Sequence, residues 1–360
     1  MQLTKTYYKT YNKYMNELQG NALVVKRINI NLVSQTLQHL QKATKQDITS
    51  VTGLSLMTVA TILSELEQEG EIFQGNLVPS QGGRPSRQYC YNPSFSQILA
   101  VYVSVHEHCE KIHVCTADSF NEIVYQCEEE YDAVSLAEID MQIRKALAEF
   151  PSIKAVGFGI PGVVYNGIIQ TCDCKKLAGL DLCSYINEEL QLPAVIENDV
   201  NCIAAGRCKD VELERGKCVC VFYFPRFRAL GTGIYMENGI HRGNRNFAGE
   251  AAHIPLGIDW CDSKVYEKPE IFSAALIKLL ITFCSILDPQ EIVMYGSFID
   301  VKMQNLLKDK FKTQNTTLSQ PLISFSDAMD ADYKTGLLVQ IRELLKPALE
   351  LKRRENLTDN

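Results

Sequence analysis

Apolar residues between Arg27 and Gln41, at Ile28, Leu32, Val33, Leu37 and Leu40, recur at three- and four-residue steps and predict an amphipathic helix. A second short helix is predicted from about Lys45, with Ile48 and Val51 turned inward and Gly53 ending it. Ser55 is a good N-cap for a third helix, Leu56 to Glu69, in which Val59, Ile62, Leu63 and Leu66 are apolar and Gly70 is the stop. Ile72 to Val78 and Arg87 to Tyr91 alternate like two strands joined by the turn Gly82-Gly83-Arg84-Pro85.

After Pro93 the texture changes. Ile98–Val105, Lys111–Ala117 and Ile123–Glu128 read as three consecutive strands, followed by a helix from Leu136 to Phe150. A buried strand (Ala155–Gly159), a hairpin around Asn166-Gly167, a helix near Leu182–Leu190 and a strand (Ala194–Ile196) come next. Strands return at Cys218–Phe224 and Gly233–Met236. The last third alternates a long helix (Ile271–Leu287), a strand (Glu291–Tyr295), a helix near Val301–Phe311, a strand (Leu322–Phe325) and a final helix. A strand trio followed by helix–strand alternation, occurring twice, predicts an α/β body made of two related halves. The pattern divides the chain into a polar arm (residues 1–21), a small mostly helical domain (22–92) and the α/β body (93–360).

Composition narrows the class. The chain has 360 residues, 46% hydrophobic and 22% charged, which is globular and excludes wholesale disorder. The first twenty residues have no apolar core, so no secretory signal is predicted. The longest apolar stretch, Ala274 to Leu287, contains Lys278 and is read as too short to span a bilayer. A soluble cytoplasmic protein with no membrane contact is expected. The thirteen cysteines are scattered without a CxxC, and the close pairs Cys172/Cys174 and Cys218/Cys220 are expected to be reduced, buried thiols. The net charge of −7 is uneven: residues 1–92 carry nine basic against six acidic side chains, and the acidic excess falls on the body.

Two short helices, a glycine turn and a third helix make a helix-turn-helix, and the following hairpin makes a wing. The third helix would present Ser55, Met57, Thr58 and Thr61 to a major groove, where hydroxyls and methyls meet base edges and thymine methyls. Lys45 and Gln46 would hold phosphates, and Arg84 on the wing suits a narrow minor groove. The bland alternative is a three-helix packing module with a surface arginine.

The body carries, in order, Gly157-Phe158-Gly159-Ile160-Pro161-Gly162, Glu197-Asn198-Asp199-Val200-Asn201, Gly231-Thr232-Gly233 and Gly249-Glu250-Ala251-Ala252-His253. Glycines near 157–162 would let backbone approach a ligand closely, with Pro161 stiffening the loop. Asn198, Asp199, Glu250 and His253 offer the acceptors and donors that vicinal hydroxyls need. Helix capping by Asn198-Asp199 and a structural His253 are the competing explanations. Order and content together resemble the ROK family of repressors, open reading frames and sugar kinases. The Gly-Arg-Pro wing is similar to its regulator branch, to which the xylose and N-acetylglucosamine repressors belong. The resemblance runs from about residue 22 to 345. It implies a winged helix-turn-helix joined to an actin-like, ribonuclease H-like two-lobed sugar-kinase-type body. It also implies that Gly159, Pro161, Gly162, Asn198, Asp199, Glu250 and His253 contact a sugar, Asp199 matching the base of the family's kinases.

Two departures from the family shape the expected function. Kinases of this fold open the body with an Asp-x-Gly-Gly-Thr loop around ATP phosphates. Here Tyr102 stands where the aspartate would be, and no glycine lies between Pro93 and Gly157. The family also follows its Gly-Glu-x-x-His with three cysteines that hold Zn²⁺ together with the histidine. This chain has only Cys261, with Asp259 and Asp262 nearby, so no metal or other cofactor is expected. That shortened stretch also lacks a clear match for a further sugar-contacting glutamate, for which Glu267 and Glu270 are candidates. The expectation is a non-enzymatic transcriptional regulator, a repressor of sugar-metabolism genes. It would bind operator DNA as a homodimer or higher oligomer and sense a sugar or sugar phosphate. The rivals are a sugar kinase with an appended DNA-binding head, and a regulator with a decayed sugar site that answers to a protein partner.

Overall fold

The computed structural model of the protein describes residues 22–80, 83–211, 213, 216–225, 228–315 and 320–346. The arm predicted over residues 1–21 lies outside them. The described residues form two compact units: one of residues 22–97 with 118–122 and 346, the other of residues 98–117 and 123–345.

The first unit contains helices α1 (Ala22–Leu40), α2 (Lys45–Thr52) and α3 (Leu56–Gln68) and strands β1 (Lys42–Thr44), β2 (Ile72–Ser80) and β3 (Gly83–Tyr91). Thr44 and Asp47 form a reciprocal capping box at the start of α2, which satisfies amides the helix cannot pair itself. Gly53 ends α2 at φ 71°, a left-handed conformation that an L side chain would strain, and its N–H donates to Thr49 O at 2.9 Å. The chain then turns by 115° into α3. Ser55 Oγ accepts from the Thr58 N–H at 3.1 Å and caps α3 as predicted. Val33, Leu37, Ile48, Val59, Ile62, Leu63 and Leu66 pack with Tyr89 and Tyr91 into one core. The sheet runs β1-β3-β2, all antiparallel. Strand β1 escaped the sequence pattern because three residues cannot display a period of two. Gly83, Arg84 and Pro85 belong to β3, not to the turn predicted at 82–85, since pairing already starts at Ser80 opposite Gly83. Residue 82 and the Arg84 side chain lie outside the described ones.

In the second unit, β4 (Gln97–Val105), β5 (Glu110–Ala117) and β6 (Ile123–Tyr131) form an antiparallel meander. Helix α4 (Leu136–Glu149) leads to β7 (Ile153–Ile160), the hairpin β8 (Gly162–Tyr165) and β9 (Ile168–Cys172), helix α5 (Leu182–Leu190) and β10 (Ala194–Asn198), which pairs parallel with β7. After α6 (Asp199–Arg207) come β11 (Cys218–Tyr223), β12 (Gly231–Met236) and β13 (Gly239–Ile240), again antiparallel. The small helix α7 (Ser263–Glu267) and α8 (Pro269–Leu287) precede β14 (Glu291–Tyr295). Helix α9 (Val301–Gln314), β15 (Leu322–Ser326) and α10 (Met329–Leu344) complete the unit, with β14 parallel to both β11 and β15. The orders β10-β7-β4-β5-β6 and β13-β12-β11-β14-β15 are one topology used twice, which gives the two related halves that the pattern predicted.

Helices α6 and α10 lie between the sheets: Cys202, Ile203, Tyr333 and Leu337 share a core with Ala100 and Tyr102 of one sheet and Val219 and Val293 of the other. They cross closely because Gly206 and Gly336 each face backbone of the other helix, and a Cβ at either would collide with it. Helices α4 and α5 cover the far face of the first sheet, and α8 and α9 that of the second. Helix α8 has 19 residues, starting before the apolar stretch read from the sequence. Among the described residues it alone is long and apolar enough to cross a membrane, which corrects the expectation that this stretch is too short. Half of it is buried, with Phe272, Leu276, Leu279 and Leu280 in the core.

Candidate functional site

The end of β10 and the start of α6 place the predicted carboxylate and amide side by side. Asn198 Oδ1 accepts from the N–H groups of Val200 (2.9 Å) and Asn201 (3.1 Å), and its Nδ2 donates to Gly162 O (2.9 Å). The side chain therefore caps α6 and braces the start of β8. Glu197 is buried, and Oε1 accepts from the Asn198 N–H (3.0 Å) and Asn201 Nδ2 (2.9 Å). Arg242 donates to its Oε2 through Nε (2.8 Å) and Nη2, and reaches Gln340 Oε1 at 3.0 Å. A buried carboxylate is tolerated because each oxygen has donors.

These groups line a polar pocket with about 390 Å³ of empty space, part of it open to solvent. Asn201, Thr232, Asn246 and Glu250 complete its polar wall, and Val163, Val164 and Ile196 its apolar one. Asn246 is fixed by donating from Nδ2 to Val164 O at 2.6 Å. Thr232 Oγ1 is buried without a hydrogen-bond partner among the described residues. A buried orphan hydroxyl in a polar pocket is an unfilled demand that a ligand oxygen or a water meets.

A second neighbourhood adjoins through Glu250. Burial pushes the Asp199 carboxyl up to about 7 against the pull of its bond from the Val200 N–H and of the Arg228 charge, and Asp173 and Glu250 add to the rise. Burial also raises Glu250, and His253 opposes that shift. Arg228, between β11 and β12, donates through Nη1 to Asp173 Oδ2 (2.8 Å) and through Nη2 to Val105 O (2.9 Å). One guanidinium thus clasps the connection in the second half to two elements of the first, beside Asp199.

Of the predicted sugar residues, Asn198 and Glu250 line the pocket, while Asp199, Glu250 and His253 lie within electrostatic reach of one another. His253 is exposed, on a single turn after Glu250. The glycines have a packing role that the sequence did not show. Gly159 abuts the Tyr333 hydroxyl and Gly162 the Thr171 carbonyl so closely that neither could carry a Cβ. At both positions the space a Cβ would need is filled by the protein's own chain. Pro161 is buried, and its carbonyl accepts from the Asp173 N–H at 2.9 Å. Tyr102 stacks on His113 at 4.6 Å and tilts against Tyr333 at 4.7 Å, and its hydroxyl is held protonated by burial. His106 N–H closes the β4–β5 turn onto Cys109 O at 2.8 Å.

Arg228, Arg242 and Asn246 were not foreseen, and Glu197, Asn201 and Thr232 stood in the motifs without a role assigned to them. A glutamate ending the apolar run Ala194-Val195-Ile196 is a signal that a partner must exist, but nothing in the sequence names Arg242, 45 positions away. No group of three or more His, Cys, Asp or Glu side chains that could hold a metal occurs among the described residues. The zinc site that the family resemblance would bring therefore does not fit this donor set.

In the first unit, Ser55, Met57 and Thr61 are exposed and Thr58 half-buried along one side of α3. Lys45 Nζ lies 5.6 Å from the centre of the Tyr89 ring, and Gln46 is exposed.

The ROK family model matches residues 109–263. Those residues form a ROK family domain. Over 251 residues the chain is 26% identical to the xylose repressor of Caldicellulosiruptor bescii, a match covering 66% of this chain and 61% of the relative. The chain thus spans about three fifths of that relative's length. The crystal structure of a ROK family transcriptional regulator, a homolog of the E. coli MLC protein, superposes with a TM-score of 0.60 at 15% identity, covering 89% of this chain and 99% of that one. A ROK hexokinase from Thermus thermophilus superposes with a TM-score of 0.54 at 12% identity, covering 69% of this chain and 99% of its own. These likenesses carry the fold: two mixed sheets in a ROK-type, sugar-kinase-like body.

Proposed function

We propose that the protein is a sugar-responsive transcriptional repressor. Residues 22–92 would be a winged helix-turn-helix that binds operator DNA, and residues 93–360 the sensor. The observation that carries this reading is the bent pair α2–α3, backed by a three-stranded sheet, in a chain whose residues 109–263 match the ROK family. Similarity to a xylose repressor supports it and makes a pentose the first effector to try. Lys45 and Gln46 would hold phosphates, and Ser55, Met57, Thr58 and Thr61 would face the major groove. Arg84 would enter the minor groove. Asn198, Asp199, Glu250 and His253 would bind the sugar, joined by Thr232 and Asn246. A twofold dimer on a palindromic operator in the cytoplasm completes the proposal.

Sugar binding would act as a population shift. A ligand seated on groups from both halves favours the conformation in which those groups converge, and the Arg228 clasp lies on the path of that change. The kinase reading has one observation in its favour: an aspartate near 7 suits a general base. Against it, the β4–β5 turn is closed on itself beside a buried tyrosine, with no glycine to turn amides toward phosphates.

The test is a thermal-shift screen of pentoses, hexoses, amino sugars and sugar phosphates, with and without Mg·ATP. A sugar at 100 times its Kd should add about 2.7 kcal/mol. A shift indifferent to ATP and lost in Asp199→Asn supports the repressor. Sugar-dependent ATP consumption would replace it with a kinase, and no shift with any sugar would replace it with a regulator answering to a protein.

A further inference from the structure

The geometry points to a specific chemistry for the reading helix: α3 recognises thymine through its 5-methyl group, not through hydrogen bonds to base edges. This inference rests on the DNA-binding reading above and says what that surface selects. In the first two turns of α3 every side-chain hydroxyl is engaged within the helix. Ser55 Oγ accepts from the Thr58 N–H at 3.1 Å and lies 2.9 Å from Thr58 Oγ1, and Thr61 Oγ1 donates to Met57 O at 3.1 Å. Thr61, whose hydroxyl turns back to the helix backbone, is left with its methyl as the contact group. Between these residues stand Leu56, 51% exposed, and Met57, 81% exposed.

The exposed start of α3 is therefore apolar, and it follows a 115° turn from α2. The first turn of α3 carries no acid that would repel a polyanion. On a helix that reads DNA, an exposed apolar start suits a polyanion with methyl groups on its surface. Thymine displays such a methyl in the major groove, where Thr methyls and other apolar side chains meet it. Guanine- and adenine-specific bidentate contacts need Arg, Lys, Asn or Gln, and residues 55–62 contain none of these.

Random duplexes selected for binding to the full chain, then resynthesised with deoxyuridine for thymidine, provide the test, because uracil pairs as thymine does but lacks the methyl. Each methyl buried under α3 should contribute roughly fourfold in affinity. Two such methyls, one in each half-site, should give a preference for thymine of roughly fifteenfold. The preference should disappear in the double variant Leu56→Ala, Met57→Ala, whose melting temperature should stay near that of the parent because both side chains are exposed. Equal affinity for thymine and uracil duplexes would overturn the methyl reading and leave DNA binding intact. A preference undiminished in the double variant, or a dimer lost in it, would also overturn the assignment to α3. Selection of no duplex at all would instead remove the DNA-binding reading on which the inference rests.

Discussion

The pocket in the body and the outer face of α3 are built by opposite means. Around the pocket, Asn198, Glu197, Arg242 and Asn246 are tied to one another or to backbone, while Thr232 Oγ1 is buried with no partner among the described residues. On α3 the polar atoms are tied up too, but what remains is open apolar surface. The first arrangement fixes a cavity whose parts cannot move singly. The second leaves side chains that can be replaced without disturbing the fold. Substitutions in the body should therefore change stability and binding together, and substitutions of Leu56 and Met57 on the α3 face should change binding alone.

The largest separation of the two regions is expected at Asp199. Asp199→Asn should remove the sugar-induced stabilisation, about 2.7 kcal/mol at 100 times Kd, as read by thermal shift. Its pH dependence has a definite sign. The ordinary value of 3.8 rises to about 7 in the folded chain, so between those values the folded state keeps a proton that the unfolded chain has released. Stability from this group declines as pH rises from about 4 to 7, and urea unfolding of Asp199→Asn should lose that slope. Sugar affinity should move the other way. The ionised carboxylate accepts hydroxyls on both oxygens, so affinity measured by calorimetry should fall roughly tenfold per unit below pH 7.

Arg242→Ala comes next. It leaves buried Glu197 with only amide donors, and breaking a buried pair costs about 3–5 kcal/mol. With the guanidinium 37% exposed, solvent screening lowers this to about 2 kcal/mol in urea unfolding. Ser55→Ala removes the α3 cap and should cost about 1 kcal/mol, seen in the same experiment, with no effect on sugar binding. Arg228→Ala should be smallest in stability, under about 1 kcal/mol, because Asp173 is exposed. Its effect should appear in how strongly sugar changes DNA affinity. An Arg228→Ala chain that responds to sugar as the parent does would remove the clasp from the mechanism.

What was legible in the sequence follows the same division. Period and caps placed α3, Ser55 and Gly53 almost to the residue, because a helix start is local chemistry. The doubled strand trio showed the two halves for the same reason. The motif glycines were seen, but not what they face within the chain: Gly162 faces Thr171 through a hairpin partner, and Gly159 faces Tyr333 from the far end of the chain. Arg228 and Arg242 were not seen, since their partners Val105, Asp173 and Glu197 are joined to them by folding rather than by spacing. Chemistry local in sequence was readable, and chemistry assembled across sheets was not.

The central claim is that sugar in the body changes DNA binding by the head, and linkage makes this measurable from either side. The direct measurement is fluorescence anisotropy of a selected duplex titrated with the full chain, with and without the sugar that raises its melting temperature. The account predicts weaker DNA binding with sugar, by roughly 5- to 150-fold, and no change in Asp199→Asn. Identical DNA affinity with and without a sugar that demonstrably binds would contradict it.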